Sequence, residues 1–372
     1  MPFGPFSPIR VFLVDDSLVA LTLLKRMLAT SPDIEVVGTA RNGKEALAQF
    51  EEARPKVICT DFYMPVMDGL ELIQQTMSKY PRPILVISSA VGGSDQGEGS
   101  KTYELLQAGA VDVFPKPTGT DPFDETARHL VQKIRILAGV FVISRRPQEP
   151  GLLKVRAPEP SQLPPVTAVH TPKTAFRSYR GTPLRMVVLG SSTGGPQVLQ
   201  AILSKLPAAF PCPVLCVQHI SKGFLGGLVD WLHSQCRMTV KIAQPGEIAL
   251  PGTVYFPPED RHLEIDSRGR LAATQMPPVD GHRPSVTVTL QSVARHYGDS
   301  ALAVLLTGMG SDGASGMQAI FQAGGITIAQ DERSCVVFGM PRQAIELGAA
   351  QFALPPEEIA QALLRITTGN SR

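Results

Sequence analysis

The sequence predicts two α/β domains, each built on a parallel sheet, with a proline-rich segment between them. Three observations carry this. Short, continuous apolar runs alternate with helix-patterned segments in both halves, as expected of strands covered on both faces by crossover helices. Several of these runs end in acids, serines or glycines, the residues that occupy the rim of such a sheet. Finally, eight prolines fall within the 37 residues from Pro147 to Pro183. That stretch has little hydrophobic periodicity and cannot bury enough apolar surface to offset its ordering entropy.

The first half, residues 8–138, divides into five β-α units. RVFLVDD reads as a buried strand ending in Asp15 and Asp16, and Ser17 caps the helix that follows. IEVVGTA is the second strand, followed by a helix opening at Asn42. KVICTD, PILVIS and AVDVF are the third, fourth and fifth strands. Helices are expected over DGLELIQQTM, over Tyr103–Gln107, and from about Asp124.

Residues 146–183 read as a linker. They carry Arg146, Lys154, Arg156, Lys173, Arg177 and Arg180 against only Glu149 and Glu159. The second half, residues 184–368, resumes the alternation as a doubly wound, mostly parallel α/β domain. Its predicted strands are MVVLG, PVLCVQ, ALAVLLTG and GITIAQD, and its helices follow Gly195, span Phe224–Ser234 and SVTVTLQSVARHY, begin near Asp312 and close the chain. The short strands VYFPP and HLEID mark a β-rich insertion in the middle.

Composition narrows the function. A chain of 372 residues suits two domains, or three. Its 35 basic and 33 acidic residues leave a net charge of +2, which excludes a surface that is basic throughout for nucleic acid or polybasic membrane binding. No nucleic-acid partner is expected. Because no apolar stretch approaches membrane-spanning length and no secretory signal opens the chain, membrane insertion and export are not expected either. Five cysteines, odd in number, suit reduced thiols in the cytoplasm. Cys212 and Cys216 lack the further ligands of a metal site and read as buried strand residues.

Asp15 and Asp16 end the first strand and Asp61 ends the third, so all three meet at one rim. Three carboxylates there repel one another unless a hard cation lies among them, and Mg²⁺ with oxygen ligands fits. Ser88 ends the fourth strand and Lys116 the fifth. A cation, a lysine and a hydroxyl beside a carboxylate form a site for phosphoryl transfer to an aspartate oxygen, with Asp61 as nucleophile.

In the second half, strand MVVLG runs into Gly190-Ser191-Ser192-Thr193-Gly194-Gly195 and a helix. Two readings stand side by side: a backbone cradle for phosphate, or G-x-S-x-G with Ser192 as a nucleophile on a strand–turn–helix. A serine nucleophile needs a base and an orienting acid. His219 directly follows PVLCVQ on the same rim, whereas His262 and His282 border the β-rich insertion. Asp312 arrives on the loop after ALAVLLTG and reads either as that acid or as a helix cap. The order Ser192…His219…Asp312 disfavours the α/β-hydrolases, in which the acid precedes the histidine.

The first half, with DD, DxxMPxxDG, SSA and KP in order, resembles the receiver domain of response regulators. That resemblance implies phosphorylation at Asp61, Mg²⁺ held by Asp15, Asp16, Asp61 and the Tyr63 carbonyl, and a switch pair of Ser88 and Lys116. Residues 184–368 resemble the catalytic domain of chemotaxis protein-glutamate methylesterases through GSSTGGP, VQHI, VYFPP, HRPSV, LLTGMGSDGASGM, GGITIAQDE and VVFGMPRQAI. This second resemblance implies a Ser192–His219–Asp312 triad, a Met309 backbone N–H at the oxyanion site, and substrate contacts at Thr193 and Arg283. It also implies an esterase reaction without a cofactor, chemoreceptors as substrate, a chemotaxis histidine kinase as phosphodonor, and glutamine deamidation as a further activity. The unphosphorylated receiver is expected to occlude the catalytic rim. The chain departs from the family where Tyr63 stands for a frequent Glu and Thr287 for Asp. A receiver controlling a protein-binding module without hydrolase activity is the competing reading.

Overall fold

The computed structural model describes residues 7–89, 98–118, 122–142 and 182–368. The predicted linker therefore lies outside the described residues, apart from its last two positions. The chain divides into two units, Met1–Arg156 and Ala157–Arg372.

In the first unit, strands β1 (Ile9–Val14), β2 (Ile34–Ala40), β3 (Val57–Thr60), β4 (Ile84–Ser88) and β5 (Asp112–Pro115) form one parallel sheet in the order β2-β1-β3-β4-β5. Helices α1 (Leu18–Leu28), α2 (Gly43–Ala53), α3 (Gly69–Lys79), α4 (Glu98–Ala108) and α5 (Phe123–Ala138) are the crossovers. Local chemistry sets where they start. Ser17 Oγ accepts from Ala20 N, and Asn42 Oδ1 accepts from Glu45 N while Glu45 reaches back to Arg41 N at 2.9 Å. α4 begins earlier than its apolar pattern predicts, and it buries Tyr103, Leu105 and Leu106.

The second unit holds a seven-stranded sheet in the order β14-β13-β12-β6-β7-β9-β8, with every neighbouring pair parallel. The strands are β6 (Met186–Ser191), β7 (Val214–Gln218), β8 (Thr239–Ile242), β9 (Thr253–Phe256), β12 (Ala301–Leu305), β13 (Ile326–Gln330) and β14 (Phe352–Leu354). Among the described strands, β10 (His262–Ile265) and β11 (Leu271–Thr274) stand apart as an antiparallel hairpin. Half of the predicted insertion is thus the far edge of the main sheet. The sequence hides this because β8 is a four-residue edge strand whose two end residues, Thr239 and Ile242, are exposed.

Helices α6 (Gly195–Leu203), α7 (Leu225–Gln235) and α11 (Pro356–Thr368) form one layer, and α8 (Val286–Tyr297), α9 (Ala314–Gln322) and α10 (Met340–Glu346) the other. α8 opens with the β-branched run Val-Thr-Val-Thr, which local propensity would send to a strand. Burial and its Ser285 cap decide otherwise, since all four side chains are buried and Ser285 Oγ accepts from Val288 N. Val286 and Leu290 pack with Val188, Leu215, Leu305 and Met317 in one core.

The chain starts this sheet in the middle, at β6. It runs on to β7, crosses to the edge strand β8 and comes back to insert β9 between the two, then returns to lay β12, β13 and β14 on the other side. The order reverses at β6, so the crevice above its C-terminal end is the topological switch point where ligands bind in open α/β sheets. In the first unit the same reversal lies between β1 and β3.

Leu305, fully buried at the end of β12, ties this crevice to the core. Leu305→Ala should destabilise the second unit by about 2–5 kcal/mol through lost burial and the cavity left behind. Denaturant unfolding followed by Trp231, the chain's one tryptophan and a buried residue of this unit, measures it.

Candidate functional site

β1 and β3 are paired with Val14 opposite Thr60, so the residues that follow, Asp15 and Asp61, emerge side by side. Asp61 N donates to Val14 O at 2.8 Å and Phe62 N donates to Asp61 Oδ1 at 2.6 Å. Lys116 comes in from the end of β5, its backbone N–H bonded to Ser88 O. Its Nζ donates to Asp61 Oδ2 at 2.6 Å and to Asp15 Oδ1 at 3.0 Å. Burial of Asp15 pushes its carboxyl up, against the hydrogen bonds from Lys116 and Ser17 N. Burial also works against the charge on Lys116, but the two aspartates outweigh it and raise its pKa.

Carboxylate oxygens of Asp15, Asp16 and Asp61 all lie within 4.8 Å of one another, among the described residues the one such cluster of potential metal ligands. Asp15 Oδ2 is buried and accepts no well-aligned hydrogen bond, although Lys116 Nζ lies 2.9 Å away. An all-oxygen set with a buried, unsatisfied carboxylate oxygen fits a hard divalent cation. The Tyr63 side chain is exposed and its ring leans on Phe62. The Ser88 hydroxyl is buried at the end of β4.

In the second unit, β6, β7 and β12 deliver Ser192, His219 and Asp312 to one rim. His219 N donates to Ser191 O, and Ser192 N donates to Thr307 O, both at 2.9 Å. Gln218 clamps the first two loops together: its amide donates at 2.8 Å to both Ser192 O and His219 O, and its oxygen accepts from Ser191 Oγ at 2.6 Å. A Cβ on Gly195 would collide with that Gln218 oxygen, so the turn after Ser192 must carry glycine there. Gly308 makes a similar approach from the third loop, where a Cβ would lie 2.7 Å from Ser192 Cβ.

Asp312 is almost fully buried. Its Oδ2 lies 2.8 Å from His219 Nε2 and accepts from Val286 N at 2.8 Å. Its Oδ1 accepts from Ser285 Oγ at 2.7 Å and Thr287 N at 2.9 Å. Asp312 does not cap the helix it precedes, because α9 has Gly313 as a cap without a side-chain bond. It is bound by the N-terminus of α8 instead. Burial disfavours its charge, yet the His219 hydrogen bond, the α8 N–H groups and the Ser285 hydroxyl hold the carboxyl well below its ordinary range.

With a carboxylate on Nε2, the His219 proton sits on that nitrogen and Nδ1 keeps its lone pair. Nδ1 is buried and has no hydrogen-bond partner among the described residues. One face of the His219 ring stacks on His282. The arrangement therefore contains a hydroxyl, an unpartnered basic nitrogen and a carboxylate that fixes the tautomer.

Several neighbours carry no mark in the sequence. Gln218, Ser285 and Thr307 make the site's internal hydrogen bonds, and Thr307 N in turn donates to Gln330 Oε1 at 2.8 Å. His262 proves to be support: fully buried, it accepts from Ser285 N and bonds Pro277 O. Thr287 accepts from Gly313 N at 2.7 Å and so holds the Asp312 loop. Thr193 is buried, with its carbonyl bonded by Thr307 Oγ1. Arg283 pairs with Asp260 at 2.8 Å and donates to Met276 O. Met309 is half-exposed next to Gly308. The cysteines are unbridged, and burial drives the Cys59 thiol to about 12 and Cys212 to about 11. No described helix is long and apolar enough to cross a membrane.

Comparison with known proteins places both units. Residues 187–363 match the CheB methylesterase family model, and residues 11–128 match the response regulator receiver domain. A protein-glutamate methylesterase/protein-glutamine glutaminase of Nitrosospira multiformis is 40% identical over 364 residues, covering 96% of this chain and 97% of the relative. One from Methanospirillum hungatei is 41% identical over 357 residues, covering 95% and 97%. The solved Thermotoga maritima CheB methylesterase catalytic domain is 40% identical, with a TM-score of 0.48 over 50% of this chain and 100% of that one.

The depressed Asp312 carboxyl has a consequence for stability. A group whose pKa falls on folding stabilises the fold above its unfolded value, and loses that contribution as pH drops toward the folded one. Asp312→Asn should lower the unfolding free energy of the second unit at neutral pH by on the order of 1–3 kcal/mol. The gap to the wild type should close as pH falls below the ordinary carboxyl value of 3.8. Denaturant titrations across that range, read by Trp231, test both parts.

Proposed function

As the chain belongs to the protein-glutamate methylesterase/protein-glutamine glutaminase family and places a receiver domain before its CheB methylesterase domain, we propose that it is a phosphorylation-activated serine esterase. Its substrates are glutamate γ-methyl esters on the cytoplasmic helices of chemoreceptors. The observation that carries this reading is the His219 ring held by Asp312 at 2.8 Å on the rim where Ser192 stands.

The reaction follows from the tautomer. His219 Nδ1 takes the Ser192 proton as Oγ attacks the ester carbonyl, and Asp312 stabilises the imidazolium that forms. The backbone N–H of Met309 donates to the developing oxyanion. His219 returns its proton to the departing methoxy group, and methanol leaves. Nδ1 then draws a proton from water, which attacks the acyl-enzyme. Collapse of that second tetrahedral species releases glutamate and restores Ser192. A glutamine side chain can enter the same cycle with ammonia leaving in place of methanol. Thr193 and Arg283 contact the receptor helix around the modified residue.

In the receiver, Asp61 accepts a phosphoryl group from a chemotaxis histidine kinase. Asp15, Asp16, Asp61 and the Tyr63 carbonyl would hold Mg²⁺, which supplies charge neutralisation for the transferring phosphoryl oxygens. Lys116 neutralises a further oxygen, and the Ser88 hydroxyl hydrogen-bonds the phosphorylated aspartate and so acts with Lys116 as the switch. Phosphorylation at Asp61 raises esterase turnover. The enzyme works in the cytoplasm, where receptor helices and kinase are available.

Ser192→Ala should cut methanol release from methylated receptors by about 10³–10⁶-fold. Release at the wild-type rate would refute the assignment. Asp61→Asn should retain basal turnover and lose stimulation by a small-molecule phosphodonor. Chelation of divalent cations should have the same effect on the wild type, blocking phosphoryl uptake while leaving basal methanol release in place.

A further inference from the structure

The catalytic base proposed above has a second imidazole against its face. The rings of His219 and His282 lie parallel, with 3.8 Å between centroids and 9° between planes. This is stacking distance, and it covers one whole side of a ring whose edge is already fixed by Asp312.

His282 is not a loose surface residue. Its N–H donates to Val279 O at 2.9 Å and its carbonyl accepts from Val279 N at 3.1 Å. These bonds close a tight turn in which Asp280 (φ 50°) and Gly281 (φ 77°) both take left-handed backbone. On its other side, Arg283 is tied to Asp260 and to the Met276 carbonyl. Two residues further on, Ser285 is anchored by His262 below and by Asp312 above. Hydrogen bonds on both sides, backbone on one and largely side-chain on the other, thus hold His282 where its ring meets His219.

We infer that His282 is a positioning residue for the esterase: its aromatic face fixes the plane of the His219 ring while Nε2 stays on Asp312, leaving Nδ1 as the atom that takes the Ser192 proton in the proposed reaction. A ring bonded at one nitrogen can still tilt about that bond, and Nδ1 has no partner of its own among the described residues to prevent it. Stacking removes that freedom. It also screens from water the imidazolium that forms when Ser192 gives up its proton. The inference needs the flat face of His282 and neither of its nitrogens.

It rests on the esterase reading, and the test separates the two. Full-length His282→Phe, His282→Leu and His282→Ala are compared with the wild type for methanol release and thermal unfolding. Phe should stay within about threefold of the wild-type kcat, because it keeps the stacked face. Leu and Ala should lose about 10–100-fold in kcat, the scale of a misplaced catalytic group, with KM and unfolding temperature little changed. Full activity in the Ala variant overturns the inference, and so does a Phe variant as slow as Leu, which would assign the role to a His282 nitrogen. An inactive wild type would overturn the esterase reading itself.

Discussion

A carboxylate can be buried only if its charge is compensated, and Asp312 meets that requirement with four bonds at once. Two come from the first-turn N–H groups of α8, one from the hydroxyl that caps that helix, and one from His219. The positive end of α8 therefore stabilises the carboxylate that stabilises the histidine. Much of the second unit serves this arrangement. The buried Val-Thr-Val-Thr turn fixes where α8 begins, His262 holds the backbone of its cap, and Thr287 ties back the loop that carries Asp312.

The two units use one architectural device for different chemistry. Each is a parallel sheet whose strand order reverses, and each places its polar residues above that reversal. In the first unit the crevice gathers carboxylates around a lysine. Lys116 pairs with Asp15 and Asp61, and a buried Asp15 oxygen without an aligned hydrogen bond faces the cluster. In the second unit the crevice gathers a hydroxyl, an imidazole and one carboxylate, with Gln218 locking the Ser192 and His219 loops through their carbonyls. Backbone hydrogen bonds between neighbouring strand-end loops set the spacing in both.

Much of the fold and both sites are legible in the chain because strand ends are legible. Apolar runs ending in Asp15, Asp61, Ser192 and His219 place those residues on rims by local pattern alone, and Ser17 and Asn42 announce their helices in the same way. The residues that stay hidden act at long range. Ser285 bonds Asp312 across 27 positions, and Thr307 bonds Thr193 across 114. Nothing in the local pattern marks Ser285 as the partner of Asp312 or Gln218 as a clamp. Asp312 itself reads equally as a helix cap, and it does bind a helix N-terminus, though that of α8. The edge strands β8 and β14 and the short α10 are hidden for another reason: three to seven residues carry too little periodicity to distinguish from loop.

The central claim is that Asp312 makes His219 the base for Ser192. The most direct measurement is the rate at which a serine-directed fluorophosphonate modifies the full-length protein, with the labelled residue identified by mass spectrometry. The predicted result is labelling at Ser192, slowed by about 10²–10⁴-fold in Asp312→Ala, whose remaining histidine is no longer oriented. Labelling at another serine, or equal rates with and without the Asp312 carboxylate, would contradict it.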